Sequence, residues 1–291
     1  MPGPSFLKRL LSDPPPRFAF EISESGIAAA RVASPPEIGF QPLDADVIAV
    51  SPVHDNVQRM EALTERVRAL APRGEKKRLR AALILPDHSV RVSVLDFDAF
   101  PSDPKQQLPL VRFRLKKSLP FDLDAAAISY YPQANGQRVD VVVAAAPLEV
   151  LSRYEMPFRA AGFHPGLVTT STLCALEMAP KAGVAVVAKR SSRALTLAVL
   201  DGGVLKLLRS IELTDGGAAE VASHLYPTFA YMEDQLGRRP EEILTCGFGR
   251  SSDDLAAEIG QVCVPLRSRY GLPDQFNAGL LGYLECLEAI Q

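Results

Sequence analysis

Apolar residues recur along the chain with two periods, and the order of the two predicts the architecture. Arg17–Ala33 alternates apolar and polar positions around Ser23-Glu24-Ser25-Gly26, which predicts a two-stranded hairpin. Val47–Val50 predicts a third strand. Val57, Met60, Leu63, Val67 and Leu70 then recur at helical spacing, the mark of an amphipathic helix. Arg80–Phe97 predicts two strands around Pro86-Asp87. Leu108, Val111, Leu115 and Leu119 line one side of a helix that stops at Pro120. Ala127–Gln133 and Arg138–Pro147 predict antiparallel strands joined across Asn135-Gly136, followed by a helix from Leu148 that Gly162 terminates. His164–Pro180 predicts a strand and a short helix.

The second part of the chain repeats the theme. Gly183–Leu213 predicts a strand, a turn at Ala188–Ser192, a strand, a tight hairpin at Asp201-Gly202-Gly203 and a further strand. Val221, Leu225, Phe229 and Met232 mark one face of a long helix, which Pro227 is expected to kink. A strand then enters a turn at Gly247 and Gly249. Next come a helix capped by Ser251 or Ser252, a strand at Cys263–Arg267 and a closing helix. Strand clusters interleaved with helices predict an α/β chain with two similar halves.

Composition narrows the function classes. At 291 residues, with 47% hydrophobic and 23% charged residues, the chain is long enough for about two domains with packed cores. A net charge of −2 leaves no basic excess of the kind that marks a nucleic-acid surface. No apolar run reaches the length of a membrane span. Residues 1–16, with Phe6-Leu7-Lys8-Arg9-Leu10-Leu11 followed by three prolines, read as a flexible tail. Cys174, Cys246, Cys263 and Cys286 form no Cys-x-x-Cys pair and read as buried free thiols of a reducing, cytoplasmic compartment. His54, His88, His164 and His224 lack ligand spacing, so no metal site is expected. His164 near Thr169 and Ser171 carries no mechanism by spacing alone. Lys189 and Arg190 admit two readings. Either they hold an anion, or they are surface residues of a strand-connecting turn, which is the expected one. Gly247 and Gly249 read as a tight strand-to-helix turn, and Asp140 as a structural residue at the start of its strand.

The order of elements, and above all the run Ala82–Leu176 and the Cys246-Gly247-Phe248-Gly249 turn, resembles the actin-like ATPase superfamily, and within it the PilM and FtsA group. The resemblance implies an actin-like, ribonuclease H-like two-domain fold with an inserted strand-helix-strand-strand subdomain. It places the first core subdomain at residues 17–98, completed by 163–181, the insertion at 99–162 and the second core subdomain at 182–291. Only Thr214–Pro240 remains where the family has a far-side helical subdomain, so that subdomain is expected to be reduced to a remnant.

Against the family's phosphate hairpins the chain departs at Glu21 and Ser23, where a glycine is missing, and at Ala188 and Lys189, where the acid that would hold a Mg²⁺-bound water is missing. The family's adenosine turn keeps Gly247 and Gly249 but carries Phe248, whose ring is expected to crowd the nucleotide. The resemblance therefore implies a pseudo-ATPase without bound ATP or Mg²⁺. Such a chain would be a scaffold of type IV pilus assembly, peripheral at the cytoplasmic face of the inner membrane, that binds the N-terminal cytoplasmic tail of a PilN-like bitopic protein. The groove between the first core and the insertion would hold that tail, with Leu83, Leu85, Val92, Val94, Val111 and Leu115 as contact candidates. Two other functions stay open: an ATP-binding or ATP-hydrolysing PilM-type protein with altered loops, and a GspL-like platform module of type II secretion.

Overall fold

A computed structural model describes residues 14–72, 79–135, 138–240 and 242–288. The first sheet has the order β3-β2-β1-β4-β8, built from β1 (Phe18–Ile22), β2 (Gly26–Arg31), β3 (Glu37–Pro42), β4 (Leu79–Leu85) and β8 (Phe163–Thr170). β1 and β2 form the expected hairpin, and β1, β4 and β8 run parallel. Its second strand-forming neighbour is β3 rather than Val47–Val50. Val47 and Ile48 are buried but contribute only one isolated bridge, Ile48 to Val57. The second sheet repeats the plan as β11-β10-β9-β12-β13, with β9 (Val184–Ser191), β10 (Ala194–Asp201), β11 (Val204–Glu212), β12 (Glu242–Cys246) and β13 (Val262–Pro265). β10 and β11 join through Gly202-Gly203, both at positive φ, as the hairpin reading requires.

Between β4 and β8 sits a third sheet of order β5-β7-β6, from β5 (Arg91–Phe97), β6 (Ala126–Asn135) and β7 (Arg138–Pro147). The helix α2 (Pro104–Leu115) covers one face of it; Asp103 caps the helix and Pro104 occupies its first position. The insertion is thus strand-helix-strand-strand as expected, but it begins at β5 and ends at β7. The expected boundary of 99–162 runs too late at both ends. The helix α3 (Leu148–Ala160) instead packs on α1 (Met60–Leu70) and β8 of the first half. The Asn135-Gly136 turn falls partly outside the described residues.

Four cores hold these layers together. The largest joins the inner faces of all three sheets, from Phe20, Leu83 and Phe158 through Val92 and Val142 to Val187, Leu205 and Leu244. A second lies beneath α5 (Ala218–Leu236) and α6 (Ser251–Ile259), a fourth beneath α2. The third packs the C-terminal helix α7 (Ala278–Glu288) and the short α4 (Ser171–Ala175) on the outer face of the first sheet. The chain end therefore returns to the first half and is not part of the second, as the 182–291 boundary supposed. Gly282 permits this return: a Cβ there would lie 2.1 Å from the Cys174 carbonyl oxygen.

Other local readings also shift. The proline run is not loose throughout: the Tyr283 hydroxyl donates to the Pro16 carbonyl (2.9 Å) and Arg80 donates to that of Pro14 (2.8 Å). Residues 1–13 of the expected tail lie outside the described residues. A single helix, α5, fills Thr214–Pro240 and continues through Pro227. Neither serine caps α6; its N-cap is Arg250, and Ser252 is instead hydrogen-bonded to Thr245 (3.1 Å). Cys174, Cys246 and Cys286 are buried free thiols and Cys263 is half-buried. Burial pushes the Cys246 thiol up to about 12, which keeps it protonated.

The second half also clamps the insertion. Lys206 on β11 pairs with Asp140 on β7 at 2.8 Å, both side chains under a tenth exposed. The Gln133 amide on β6 makes two hydrogen bonds of 3.0 Å to the Leu205 backbone, one donated and one accepted. Asp140 is structural, as expected, and this ion pair is its role.

Candidate functional site

A cleft opens between the two halves, and of the positions singled out from the resemblance only Ser23 lines it. It has a volume of ≈ 620 Å³ and is lined by the β1–β2 turn (Ser23–Ser25), Ala45, Asp46, Ile48–Val50, Pro86–His88, the β9–β10 turn, Glu212 and Gln275. Ser23 is occupied in sealing its own hairpin: its hydroxyl donates to the Gly26 carbonyl (2.9 Å) and accepts from the Gly26 N–H (3.2 Å). The Glu24 carboxylate accepts the Val50 N–H at 3.0 Å.

Beneath the cleft lies a sealed charge cluster. β9 extends to Ser191, and the turn is only Ser192-Arg193, so Ala188 and Lys189 belong to the strand. Ala188 is fully buried in the second core. Lys189 is 1% exposed, which corrects the reading of it as a surface turn residue. Alternation along β9 sends its side chain out of the second sheet and across to the first half, where its ammonium meets Asp87 at 2.9 Å; it also donates to the hydroxyl of Ser191 on its own strand at 2.6 Å. Arg190 is not a free surface residue either: it is half-buried and donates to the Gly216 carbonyl at 3.0 Å.

Asp87 occupies the single helical turn that follows Pro86 at the end of β4. Besides Lys189 it accepts the Thr172 N–H and hydroxyl, both at 2.7 Å. Glu21, also 1% exposed, accepts the Leu280 N–H at 2.7 Å and the Ser171 hydroxyl. Burial raises the Glu21 carboxyl above its ordinary range, with Lys189 pulling the other way. Burial alone would lower the Lys189 ammonium, but the Asp87 and Glu21 carboxylates outweigh it and hold it above its ordinary value. The cluster is an internal electrostatic joint between the halves.

The glycine turn behaves as predicted in its backbone and differently in its side chain. Gly247 and Gly249 have φ of +79° and +54°. A Cβ on Gly247 would lie 2.2 Å from the Arg190 carbonyl oxygen. Phe248 does not crowd the cleft: its ring is buried in the second core and is not part of the cleft lining. Gln275 spans the cleft wall, accepting from the Ser192 N–H (3.1 Å) and donating to the Gly247 carbonyl (2.9 Å). Sequence reasoning missed Asp87 and Gln275. The one available signal was an acid directly after the proline that ends a buried strand.

A second concavity opens between the insertion and the first half. It is an apolar groove of ≈ 220 Å³ between β6, the edge strand of the inserted sheet, and β8, the edge strand of the first sheet. Val90, Ile128, Leu151, Val168 and Leu173 supply most of its wall, and Ala127, Ala144 and Ala146 leave it hollow. No charged residue lines it; its polar groups are Ser129, Tyr130, Thr169 and Thr170. The six contact candidates lie elsewhere. Leu83, Leu85 and Val92 are buried in the shared core, Val94 is packed against that core, and Val111 and Leu115 are buried beneath α2. Periodic apolar residues face a core, and so are the residues least able to meet a partner.

No protein-family model matches the chain, and no curated protein sequence matches it. Solved structures do. A structure of the PilM-PilN type IV pilus biogenesis complex is 17% identical and covers 94% of this chain and 99% of its own, with a TM-score of 0.73. The cytoplasmic domain of EpsL, an inner membrane component of the type II secretion system of Vibrio cholerae, is 12% identical over 78% of this chain and 80% of its own (TM-score 0.51). A protein of unknown function with an actin-like ATPase fold from Bacteroides thetaiotaomicron is 11% identical over 91% and 94% (TM-score 0.54). The two similar sheets, the insertion between β4 and β8, and these likenesses together give the chain the actin-like ATPase fold.

Proposed function

We propose that the protein is a non-catalytic actin-like scaffold of a type IV pilus assembly complex. In this reading it holds the N-terminal cytoplasmic tail of a PilN-like bitopic protein and is thereby kept at the cytoplasmic face of the inner membrane. The observation that carries the reading is the apolar, uncharged groove between two sheet edges, β6 and β8. An extended peptide can add to such an edge through main-chain hydrogen bonds and place alternate side chains in the hollow above Ala144 and Ala146. The likeness to the PilM-PilN complex over nearly the whole chain supports the choice of partner. Titration of the protein with a synthetic N-terminal tail of a PilN-like protein should shift amide signals of β6 and β8. No shift in either strand would sink the reading.

The absence of catalysis rests on the cluster under the cleft. Lys189 is the cation that its two buried carboxylates share, where an active member's acid would organise Mg²⁺. A competing reading, nucleotide binding through altered loops, draws on the open volume of the cleft. Millimolar ATP with Mg²⁺ decides between them: a rise in melting temperature supports binding, and a flat response supports the pseudo-ATPase. A platform role in type II secretion, of the EpsL kind, would replace the pilus partner and leave the fold argument unchanged.

A further inference from the structure

The helix α2 carries apolar residues on two opposite sides. Val111 and Leu115 are buried against the inserted sheet. Phe113 lies two positions from each, which on an α-helix is about 200° away, so it points outward and is 75% exposed. Leu108, partly exposed at the start of the helix, lies on the Leu115 side and is not part of this surface.

The rim around Phe113 is cationic. The helix and the turn after it hold Lys105, Arg112, Arg114, Lys116 and Lys117, and no acidic residue lies between Pro104 and Lys117. Lys116 and Lys117, three and four residues beyond Phe113, cap and follow the end of the helix and are exposed. Arg112 and Arg114 are engaged by Asp124 and Asp96, and Arg114 also stacks over Phe97. The remaining nearby acids serve the backbone: Asp103 caps the helix and Asp122 closes the turn before β6. Among the described residues, Lys105, Lys116 and Lys117 have no carboxylate partner.

We infer that this face of α2 is a direct contact with an anionic phospholipid surface. A protein partner would bury Phe113 in a pocket of its own making, whereas a bilayer interface accepts a single projecting ring and pays no cost of shape matching. Unpaired ammonium groups around that ring supply the attraction to acidic headgroups, about fivefold in affinity per lysine at low salt. The helix, though not the Phe113 face itself, adjoins the groove: on its sheet-facing side Gln107 accepts from the hydroxyl of Tyr130, a groove residue, at 3.1 Å. A tail running from a membrane-anchored partner into that groove would hold α2 close to the bilayer. Only this proximity depends on the peptide-binding reading; Phe113 and its cationic rim do not.

The test is flotation of the full-length protein, without any peptide, with phosphatidylcholine vesicles and with vesicles containing roughly a third phosphatidylglycerol. Three lysines predict about a hundredfold preference for the anionic vesicles at low salt, abolished at roughly molar salt. Lys116→Glu/Lys117→Glu should lower binding about tenfold or more, and Phe113→Ser by a few-fold, with unchanged melting temperatures because these side chains are exposed. The apolar knot near the N-terminus provides the control: a Leu7→Asp/Leu10→Asp protein should still bind. Equal binding to both vesicle types, wild-type binding by the α2 variants, or loss of binding only in the N-terminal variant would each overturn the inference. So would capture of an acidic soluble protein by this face with no vesicle binding. Peptide titration of the wild-type protein separates this from the groove: tail binding without vesicle binding refutes only the lipid contact, and vesicle binding without tail binding refutes only the scaffold reading.

Discussion

Replacing Lys189 with methionine tests whether the sealed cluster joins the halves. Methionine keeps most of the apolar stem and removes the charge. What remains is Asp87, 4% exposed and still accepting two hydrogen bonds from Thr172, and Glu21, 1% exposed, with no cation between them. Removing one partner of a buried ion pair costs about 3–5 kcal/mol, because the other is left charged and dry. For a chain of this size each kcal/mol moves the melting temperature by about 2–4 °C, so Lys189→Met should melt roughly 6–20 °C below wild type. Adding Asp87→Asn removes the stranded charge while its side-chain oxygen still accepts from the Thr172 N–H. The double variant should therefore recover much of the loss, and the two changes should couple by about 1–3 kcal/mol. Urea unfolding followed by circular dichroism near neutral pH measures all four proteins of the cycle. If Lys189→Met lies within about 1 kcal/mol of wild type, or the double variant is as unstable as the sum of the singles, the pair is not the joint described here.

The same cluster predicts a pH dependence. The Glu21 carboxyl is raised in the folded state above its ordinary 4.5, so its contribution is fully present below that value and is lost as pH rises through the folded one. Compared with Glu21→Gln, the wild type should lose stability in urea melts as pH rises above 4.5; parallel curves would contradict this. Gly247→Ala combines positive φ with a Cβ 2.2 Å from the Arg190 carbonyl. It should cost about 1–3 kcal/mol or more, read as a lower urea midpoint. Ala144→Phe fills the groove from a half-buried position and should weaken tail-peptide binding by about tenfold or more in calorimetry. Its melting temperature should stay near wild type, and unchanged peptide affinity would relocate the binding site.

Periodic elements were legible in the sequence and paired ones were not. Val111 with Leu115, Val221 with Leu225, and the alternating β9 to β11 announced their elements because each turns one face to a core. β3 did not: Glu37–Pro42 is exposed at nearly every position and is a strand only because β2 supplies hydrogen-bond partners. Lys189 shows the same limit at the candidate site. A lysine between an alanine and an arginine reads as surface, and only Asp87, brought across from the other half, explains its burial. A concavity does lie between the first core and the insertion, but none of the six expected contact residues lines it. Its hollow is made by Ala127, Ala144 and Ala146, small side chains whose role is the space they leave and which no apolar periodicity marks.

The clamp between β11 and the inserted sheet bears on how such a chain could be divided. Lys206 and the Leu205 backbone fix β7 and β6 from behind, and β6 is one wall of the groove. The groove's two walls belong to the insertion and the first half, yet the spacing between them is set partly by the second half. An isolated first half with its insertion would carry every residue of the groove lining and lack the brace that holds the walls apart. This bracing gives the second half a mechanical role that needs no nucleotide in the cleft: it acts as a back plate that sets the width of the groove.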